Sequence, residues 1–318
     1  MATMKAVRIH EYGGPEVLRY EDAPVPEPGE GDVLVRVRAA GVNPVDWKVR
    51  QGWLREKIRY ALPMIPGWDA AGTVERLGPG ATGFTVGEEV FTRPDIARNG
   101  AYAGWITVRA TELARKPRSV DFVHAAAVPL AALTAWQALF DAPEPYTSAE
   151  IEKGATVLVH AGAGGVGTFA VQLARWRGAR VIATASAANA PFLRDLGADE
   201  VIDYRAVRFE DVVHGADAVF DTIGGETQER SWKVLKPGGV LVSIVSPPSQ
   251  EEARKHGARA AYVFVQPDAT QLGEIGALVD AGVVRPVVSE VLPLSDARRA
   301  HELSQTGHVR GKIVLRVE

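Results

Sequence analysis

Cysteine is absent from the 318 residues. That excludes disulfides, cysteine-ligated zinc, a catalytic thiol and thiolate-held iron–sulfur clusters. The seven histidines are scattered, with no pair at His-x-x-His or His-x-x-x-His spacing, so no metal site is expected. An excess of either charge is also missing. The formal net charge of −3 offers no basic field for nucleic acid, so no nucleic-acid partner is expected. Long hydrophobic runs are missing as well. The longest, Ala125–Phe140, has 16 residues and contains Pro129, short of the roughly 20 that span a bilayer. The N-terminal stretch Met1–His10 alternates like a strand and does not read as a secretory signal, so a cytoplasmic location without membrane contact is expected. What remains is 46% hydrophobic and 24% charged, ordinary for a globular protein and long enough for two domains.

The first 120 or so residues read as β structure broken by many turns. Strand-like runs are Met4–His10, Asp32–Val42, Ala71–Leu77, Val86–Phe91 and Ala103–Arg109. In the second run Val33, Val35 and Val37 alternate with Leu34, Arg36 and Arg38, as in a half-buried strand. Turn signals separate the runs, among them Tyr12-Gly-Gly-Pro15 and Leu77-Gly-Pro-Gly80. From about Asp121 strands alternate with helical segments: Thr156–Ala161, Val181–Ala185, Glu200–Ile202, Ala218–Asp221 and Val240–Val245. That rhythm predicts an α/β, doubly wound parallel sheet. A helical stretch near Gln271, the run Val283–Leu292, a helix over Ser295–Gln305 and a strand at Lys312–Val317 close the chain. The expected domains are residues 1–122, 123–268 and 269–318, the last returning to complete the first, with a cleft between the β domain and the nucleotide domain.

The run Val157-Leu-Val-His-Ala-Gly-Ala-Gly-Gly-Val-Gly167 carries the most chemistry. An apolar strand enters a glycine-rich turn and then a helix, the context in which Gly-x-Gly-x-x-Gly binds a dinucleotide. Gly162 allows the tight turn, Gly164 the approach of a pyrophosphate, and Gly167 the close packing of helix on strand. Ala163, Gly165 and Val166 complete the loop, and the helix N-terminus presents free N–H groups to phosphate. Val166, Phe169, Ala170, Leu173 and Ala174 give that helix one apolar face.

The next strand narrows the cofactor. NAD-selective sites end this strand with Asp or Glu, which binds the ribose 2′-hydroxyl. Here no acid occurs between Gly162 and Asp195. A carboxylate beside a 2′-phosphate would repel it by about 4 kcal/mol per charge pair at 4 Å and an effective dielectric of ~20. Its absence favours NADPH, with Ser186 as a hydroxyl donor. Arg194 is the nearest candidate cation and Arg180 the next.

Over essentially its whole length the chain resembles the medium-chain dehydrogenase/reductase superfamily, in its zinc-free quinone oxidoreductase branch. The resemblance rests on Ala40-Gly-Val-Asn-Pro-Val-Asp-Trp-Lys48, Pro66-Gly-Trp-Asp-Ala-Ala-Gly72, Ala127–Ala135, the 161–167 loop, Leu196–Tyr204 and Gly307–Leu315. It implies a Rossmann sheet inserted into a GroES-like, β-rich catalytic domain, and a homodimer formed through the segment Ala261–Gln266. Zinc members of the family place catalytic ligands at the positions of Asn43, Trp68 and Leu130, none of which suits zinc in that role. The resemblance therefore implies hydride transfer from NADPH to a small-molecule α,β-unsaturated carbonyl or quinone. It sets Thr134 toward the nicotinamide half, Tyr204 near the adenosine phosphates, and Ile223, Val245 and Ser246 along the ribose and carboxamide.

Hydride addition to an enone creates an enolate, which needs hydrogen-bond donors where negative charge appears on oxygen. The Asn-Pro-Val-Asp loop lies against the nicotinamide ribose in similar enzymes, which makes Asn43 and Asp46 candidates. Lys48 is a candidate carbonyl polariser or proton donor; Tyr60 and Tyr102 are further candidate donors. Trp47, Trp53 and Trp68 are candidates for an apolar substrate slot. Each has a plainer reading: Lys48 as a solvated lysine, Asp46 as a loop organiser, His160 as a satisfied buried histidine, Trp68 as core. Two other functions stay open, a pathway-specific enoyl (thioester) reductase and a cofactor-binding protein with little catalytic activity.

Overall fold

The computed structural model describes residues 2–318. Strands β1 (Thr3–Ile9) and β2 (Leu18–Pro24) come first, then β3 (Asp32–Val42) and a short helix α1 (Pro44–Arg50). Strands β4 (Ala70–Leu77), β5 (Glu89–Thr92), β6 (Trp105–Arg109) and β7 (Leu113–Arg115) follow, then helices α2 (Phe122–Ala126) and α3 (Pro129–Leu139). The alternating region holds β8 (Thr156–Val159), α4 (Gly165–Trp176), β9 (Arg180–Ala185), α5 (Ala190–Asp195) and β10 (Glu200–Asp203). It continues through β11 (Ala216–Asp221), α6 (Gly225–Ser231), β12 (Leu235–Ser243), α7 (Gln250–Lys255) and β13 (Arg259–Tyr262). Helix α8 (Ala269–Asp280), strand β14 (Val288–Pro293), helix α9 (Ala297–Gln305) and strand β15 (Lys312–Arg316) end the chain.

Two compact units result. One runs through Ala131 and adds Pro267–Gly282 and Pro286–Glu318; the other is Ala132–Gln266 with Val283–Arg285. The first division thus falls at Ala131, nine residues past the expected 122, and a three-residue segment at 283–285 joins the second unit.

The second unit is the doubly wound half. Its six strands lie in the order β10-β9-β8-β11-β12-β13, every neighbouring pair parallel. Numbered from β8 this is order 3-2-1-4-5-6, which reverses direction between β8 and β11. Such strands are covered on both faces and read as unbroken apolar runs. Val157, Leu158, Val159, Val219 and Phe220 are accordingly all fully buried. Leu158, Ile182, Ile202, Val219 and Leu241 pack with Phe209 and Trp232 into one core cluster.

The β-rich unit holds the ribbon β1–β2 and a seven-stranded sheet in the order β14-β15-β3-β4-β5-β7, with β6 also paired to β3. Strand β3 is central, with β15, β4 and β6 as partners. That explains why Leu34, expected on an exposed face, is buried together with Val33 and Val35. Strand β2 is missing from the sequence reading because Glu21 and Asp22 interrupt its pattern; it buries only Leu18 and Ala23. Val86 lies ahead of β5 and is exposed, so that strand is shorter than its valines suggest. Among the described residues no helix is long and apolar enough to cross a membrane.

Candidate active site

In the second unit, β8 ends at Val159 and the chain turns through His160–Gly164 into α4. Ala161 adopts φ +48°, a left-handed conformation that costs a non-glycine residue roughly 1 kcal/mol. A buried network holds it there. Thr184 Oγ1 accepts from Ala161 N–H at 3.2 Å and meets His160 Nδ1 at 3.2 Å, while His160 Nε2 meets Ser231 Oγ at 3.0 Å. Because Ser231 Oγ already donates to Thr227 O, His160 carries its proton on Nε2 and Thr184 donates to Nδ1. Burial lowers the imidazole pKa to about 4. His160 is thus a neutral, satisfied support of the turn.

Two glycines of the turn sit where a side chain would collide, although the left-handed position is taken by Ala161 and not by Gly162. A Cβ on Gly162 would lie 2.9 Å from Ala183 Cβ, and one on Gly167 would lie 2.8 Å from Gly162 Cα. The first intrahelical bond of α4 runs from Thr168 N–H to Gly164 O, so the N–H groups of Gly165, Val166 and Gly167 precede the helical ladder. They are the unused donors of a helix N-terminus, the kind of group that suits an anion.

Ser186 follows β9, half-buried, and takes a hydrogen bond from Asn189 Nδ2 at 3.2 Å. Tyr204 stands beside it, because β10 pairs with β9 and Tyr204 N–H reaches Ala185 O at 3.3 Å. Arg205 is a cation that the sequence reading missed: exposed, with its guanidinium 5.6 Å from the Tyr204 ring centroid. Its signal was present, since Arg205 lies two residues past the end of β10, one strand over from Ser186. Arg194 is exposed on α5. Arg180 opens β9 at the end away from Ser186 and pairs with Glu200 at 3.2 Å, so the structure does not bring it to Ser186.

Ile223 and Val245 follow β11 and β12 and are 51% and 40% exposed; Val245 packs on Gly224, where a Cβ would lie 3.1 Å from Val245 Cγ1. Asp221, fully buried and not singled out in the sequence, organises both loops. It accepts from Ile223 N–H, Gly224 N–H, Gln228 Nε2 and Ser243 Oγ at 2.8–2.9 Å. Ser246 Oγ lies 3.4 Å from Gln228 Nε2. Thr134 is buried on α3.

In the β-rich unit, Asn43 and Asp46 begin a helix where the sequence suggested only a loop. Asn43 is the N-cap of α1, Pro44 takes the first helical position, and Asp46 Oδ2 accepts from Asn43 N–H at 2.8 Å. The Asn43 side chain is directed elsewhere: Nδ2 donates to Asp69 Oδ2 at 2.8 Å and Oδ1 accepts from the Lys312 ammonium. Lys312 also contacts Asp69 Oδ2 at 3.1 Å, and Asp69 Oδ1 accepts from Leu130 N–H at 2.6 Å. All three side chains are buried.

Tyr102, a candidate free donor in the sequence, is fully buried, and its hydroxyl donates to Asp46 Oδ2 at 2.8 Å. Both bonds therefore fall on one oxygen of Asp46, and Oδ1 has no partner among the described residues. Burial is the chief reason the Asp46 pKa is pushed up to about 7. Because the folded pKa exceeds the unfolded ~3.9, the proton's contribution to stability is complete below ~3.9 and lost as pH rises through about 7. Asp46→Asn keeps the shape without the charge. Its stability relative to wild type is expected to rise between pH 5 and pH 8, by on the order of 2 kcal/mol, read from urea midpoints.

Lys48, on α1, is half-buried. Its ammonium lies 5.6 Å from the Trp47 ring centroid and 5.9 Å from that of Trp53, with no hydrogen-bond acceptor or carboxylate at ion-pair distance among the described residues. Burial lowers its pKa. Tyr60 Oη is buried and unpartnered, its ring 6.3 Å from that of Trp68, and burial raises its pKa. Trp53 is 62% exposed, whereas Trp68 is core and donates Nε1–H to Arg98 O at 3.3 Å.

Residues 29–118 match the alcohol dehydrogenase GroES-like domain and residues 196–315 a family described as zinc-binding dehydrogenase. The NADPH-dependent alkenal/one oxidoreductase of Arabidopsis thaliana chloroplasts is 36% identical over 98% of this chain and 79% of its own length. The solved quinone oxidoreductase of Coxiella burnetii is 35% identical, covers both chains fully and superposes with a TM-score of 0.91.

The chain belongs to the medium-chain dehydrogenase/reductase superfamily, in its quinone oxidoreductase branch.

A further member, a mycobacterial structure complexed with NADPH, is 32% identical over 98% of this chain and all of that one, with a TM-score of 0.85. The residues at the zinc members' ligand positions do not fit zinc here. Asn43 Oδ1 already holds the Lys312 ammonium, Trp68 offers only an N–H donor, and Leu130 has an apolar side chain. Among the described residues no group of three or more His, Cys, Asp or Glu is placed to hold a metal.

Proposed function

We propose that this chain is an oxidoreductase that moves hydride from NADPH to an α,β-unsaturated carbonyl or a quinone, independently of zinc. The observation that carries the reading is Lys48. A half-buried ammonium without an acceptor on α1 is the donor that a developing enolate or quinol oxygen requires, in a chain matched end to end by alkenal/one and quinone oxidoreductases.

NADPH supplies the hydride when bound. The cradle at Gly162–Val166 takes the pyrophosphate; Ser186, with Arg205 or Arg194, takes the 2′-phosphate; Tyr204 borders the adenosine. Ile223, Val245, Ser246 and Thr134 complete the cofactor contacts. In the β-rich unit Lys48 and Tyr60 donate to the acceptor oxygen, while Asp46, holding its carboxyl proton near neutral pH, is the proton store for the α-carbon. We further propose a homodimer built on the open edge of β13 and a cytoplasmic location. An edge strand presents unpaired N–H and C=O groups that a second copy covers; a monomer by light scattering would remove the dimer.

NADPH oxidation with a small enone, a long-chain enone and a benzoquinone tests the reaction. Turnover is expected with at least one of them, and Lys48→Ala is expected to lower kcat by about 10²-fold, the effect of losing one donor to a developing oxyanion. Unchanged kcat in Lys48→Ala would retire that lysine; silence across the panel with NADPH still bound would favour a narrow thioester substrate. For the cofactor, Ser186→Asp is expected to weaken NADPH binding by about 10²-fold and spare NADH, since up to about 4 kcal/mol of repulsion per charge pair arises beside the 2′-phosphate. Equal losses for both nucleotides in a fluorescence titration would place Ser186 away from that phosphate.

A further inference from the structure

We propose that Lys312 is a positioning residue. With Asp69 it locks the Asn43 amide so that one Nδ2–H, and no other part of that side chain, is left for the oxygen of the bound acceptor. The inference rests on the hydride-transfer reading given above.

The sheet register assembles the lock. Strands β15, β3 and β4 are neighbours, with Ile313 opposite Val42 and Ala70 opposite Ala40. Lys312, just before Ile313, thus falls opposite Asn43, while Asp69, just before Ala70, falls opposite Gly41 and reaches Asn43 diagonally with its side chain. Gly41 N–H donates to Asp69 O at 3.2 Å and ties the two strands where they end. Asp69 is itself anchored, since its second oxygen accepts from Leu130 N–H at 2.6 Å.

Charge then fixes the orientation of the amide. The ammonium sits on Asn43 Oδ1 and the carboxylate on Nδ2. Turning the amide over would set Nδ2–H against the ammonium and Oδ1 against the carboxylate, two repulsive contacts in place of two charge-assisted bonds. Ammonium on Oδ1 and carboxylate on Nδ2 both lie along the amide dipole and polarise it in the same sense, so together they fix its direction. Nδ2 has two hydrogens, and one is spent on Asp69. The second has no acceptor among the described residues. A lysine that merely closed the end of the sheet would have no bearing on that hydrogen.

Two readouts test this. In labelled ligand-free protein, the Asn43 side-chain amide protons, assigned by their loss in Asn43→Ala, are expected to be dispersed and slow to exchange with solvent. In Lys312→Met they are expected to collapse toward the free-amide position and exchange at least about tenfold faster. Unchanged shifts and exchange would overturn the lock whether or not the chain reduces any acceptor tried. The second readout is a double-mutant cycle on kcat with the best acceptor. Lys312→Met is expected to lower kcat at least about tenfold in wild type and less than about twofold in the Asn43→Ala background. Equal losses in both backgrounds would show that Lys312 does not act through Asn43. Where Lys312→Met fails to fold, Lys312→Met/Asp69→Asn removes both charges together and serves in both readouts. If the amide is locked but wild type reduces no enone or quinone, the functional reading fails and the proposed use of the free N–H fails with it.

Discussion

Gly167→Ala is expected to abolish useful NADPH binding, raising Kd by about 100-fold or more. The reason is contact with backbone. A Cβ there would lie 2.8 Å from Gly162 Cα and closer still to the Ala161 carbonyl oxygen, and neither atom can swing away as a side chain would. Ala161 is already held at φ +48°, so the turn has little further freedom to absorb the push. Helix α4 must move off β8 instead, carrying with it the N–H groups of Gly165 and Val166. A shift of about 1 Å in positioning groups costs on the order of 10²-fold, and overpacking costs a further ~1–3 kcal/mol of stability. Gly273→Ala is the control. That glycine lies within α8 with nothing within 4 Å of its would-be Cβ, so alanine there is expected to leave binding unchanged and to stabilise by up to about 1 kcal/mol. Fluorescence titration with NADPH and denaturant midpoints read both variants. Wild-type affinity in Gly167→Ala would sink the assignment of this turn to the pyrophosphate.

The doubly wound half was legible because its signals are local. Apolar runs such as Val157–Val159, a glycine turn and a helix with one apolar face are all read within a short window, and their parallel pairing follows from the alternation itself. The β-rich half was legible only in outline. Strand β2 has the composition of an exposed ribbon, and α1 was hidden because its first turn, Asn-Pro-Val-Asp, also reads as a loop. The polar interior was not legible at all. Lys312 meets Asn43 across 269 positions and Asp69 across 243, and Arg50 meets His301 across 251. No periodicity links such positions, since strand register decides the pairing. For the same reason the sequence could not show that the Tyr102 hydroxyl is spent on Asp46. Residue types were readable from the chain; which of their hydrogen bonds are already used was not.

That distinction gives the largest expected effect on stability. Asp69→Ala is expected to destabilise the β-rich unit by about 3–5 kcal/mol, the usual consequence of leaving one charge of a buried pair without its partner. Three groups lose an acceptor at once: the Lys312 ammonium, the Asn43 amide and the Leu130 N–H. The side chains of Asn43, Asp69 and Lys312 are at most 3% exposed, so the stranded ammonium is left poorly solvated. An exposed ion pair sets the comparison. Lys5 and Asp22 approach to 3.0 Å with side chains 55% and 64% exposed, and Lys5→Met is expected to cost at most about 1 kcal/mol. Adding Lys312→Met to Asp69→Ala should recover a large part of the loss, since the stranded charge goes with it and an apolar side chain of similar length fills its place. The cycle therefore separates two explanations of a low urea midpoint. Recovery in the double variant identifies the stranded ammonium as the cause. Additive losses would mean that the carboxylate matters through Leu130 and Asn43 alone, with Lys312 a bystander, and a cost for Asp69→Ala no greater than for Lys5→Met would contradict the buried cluster itself.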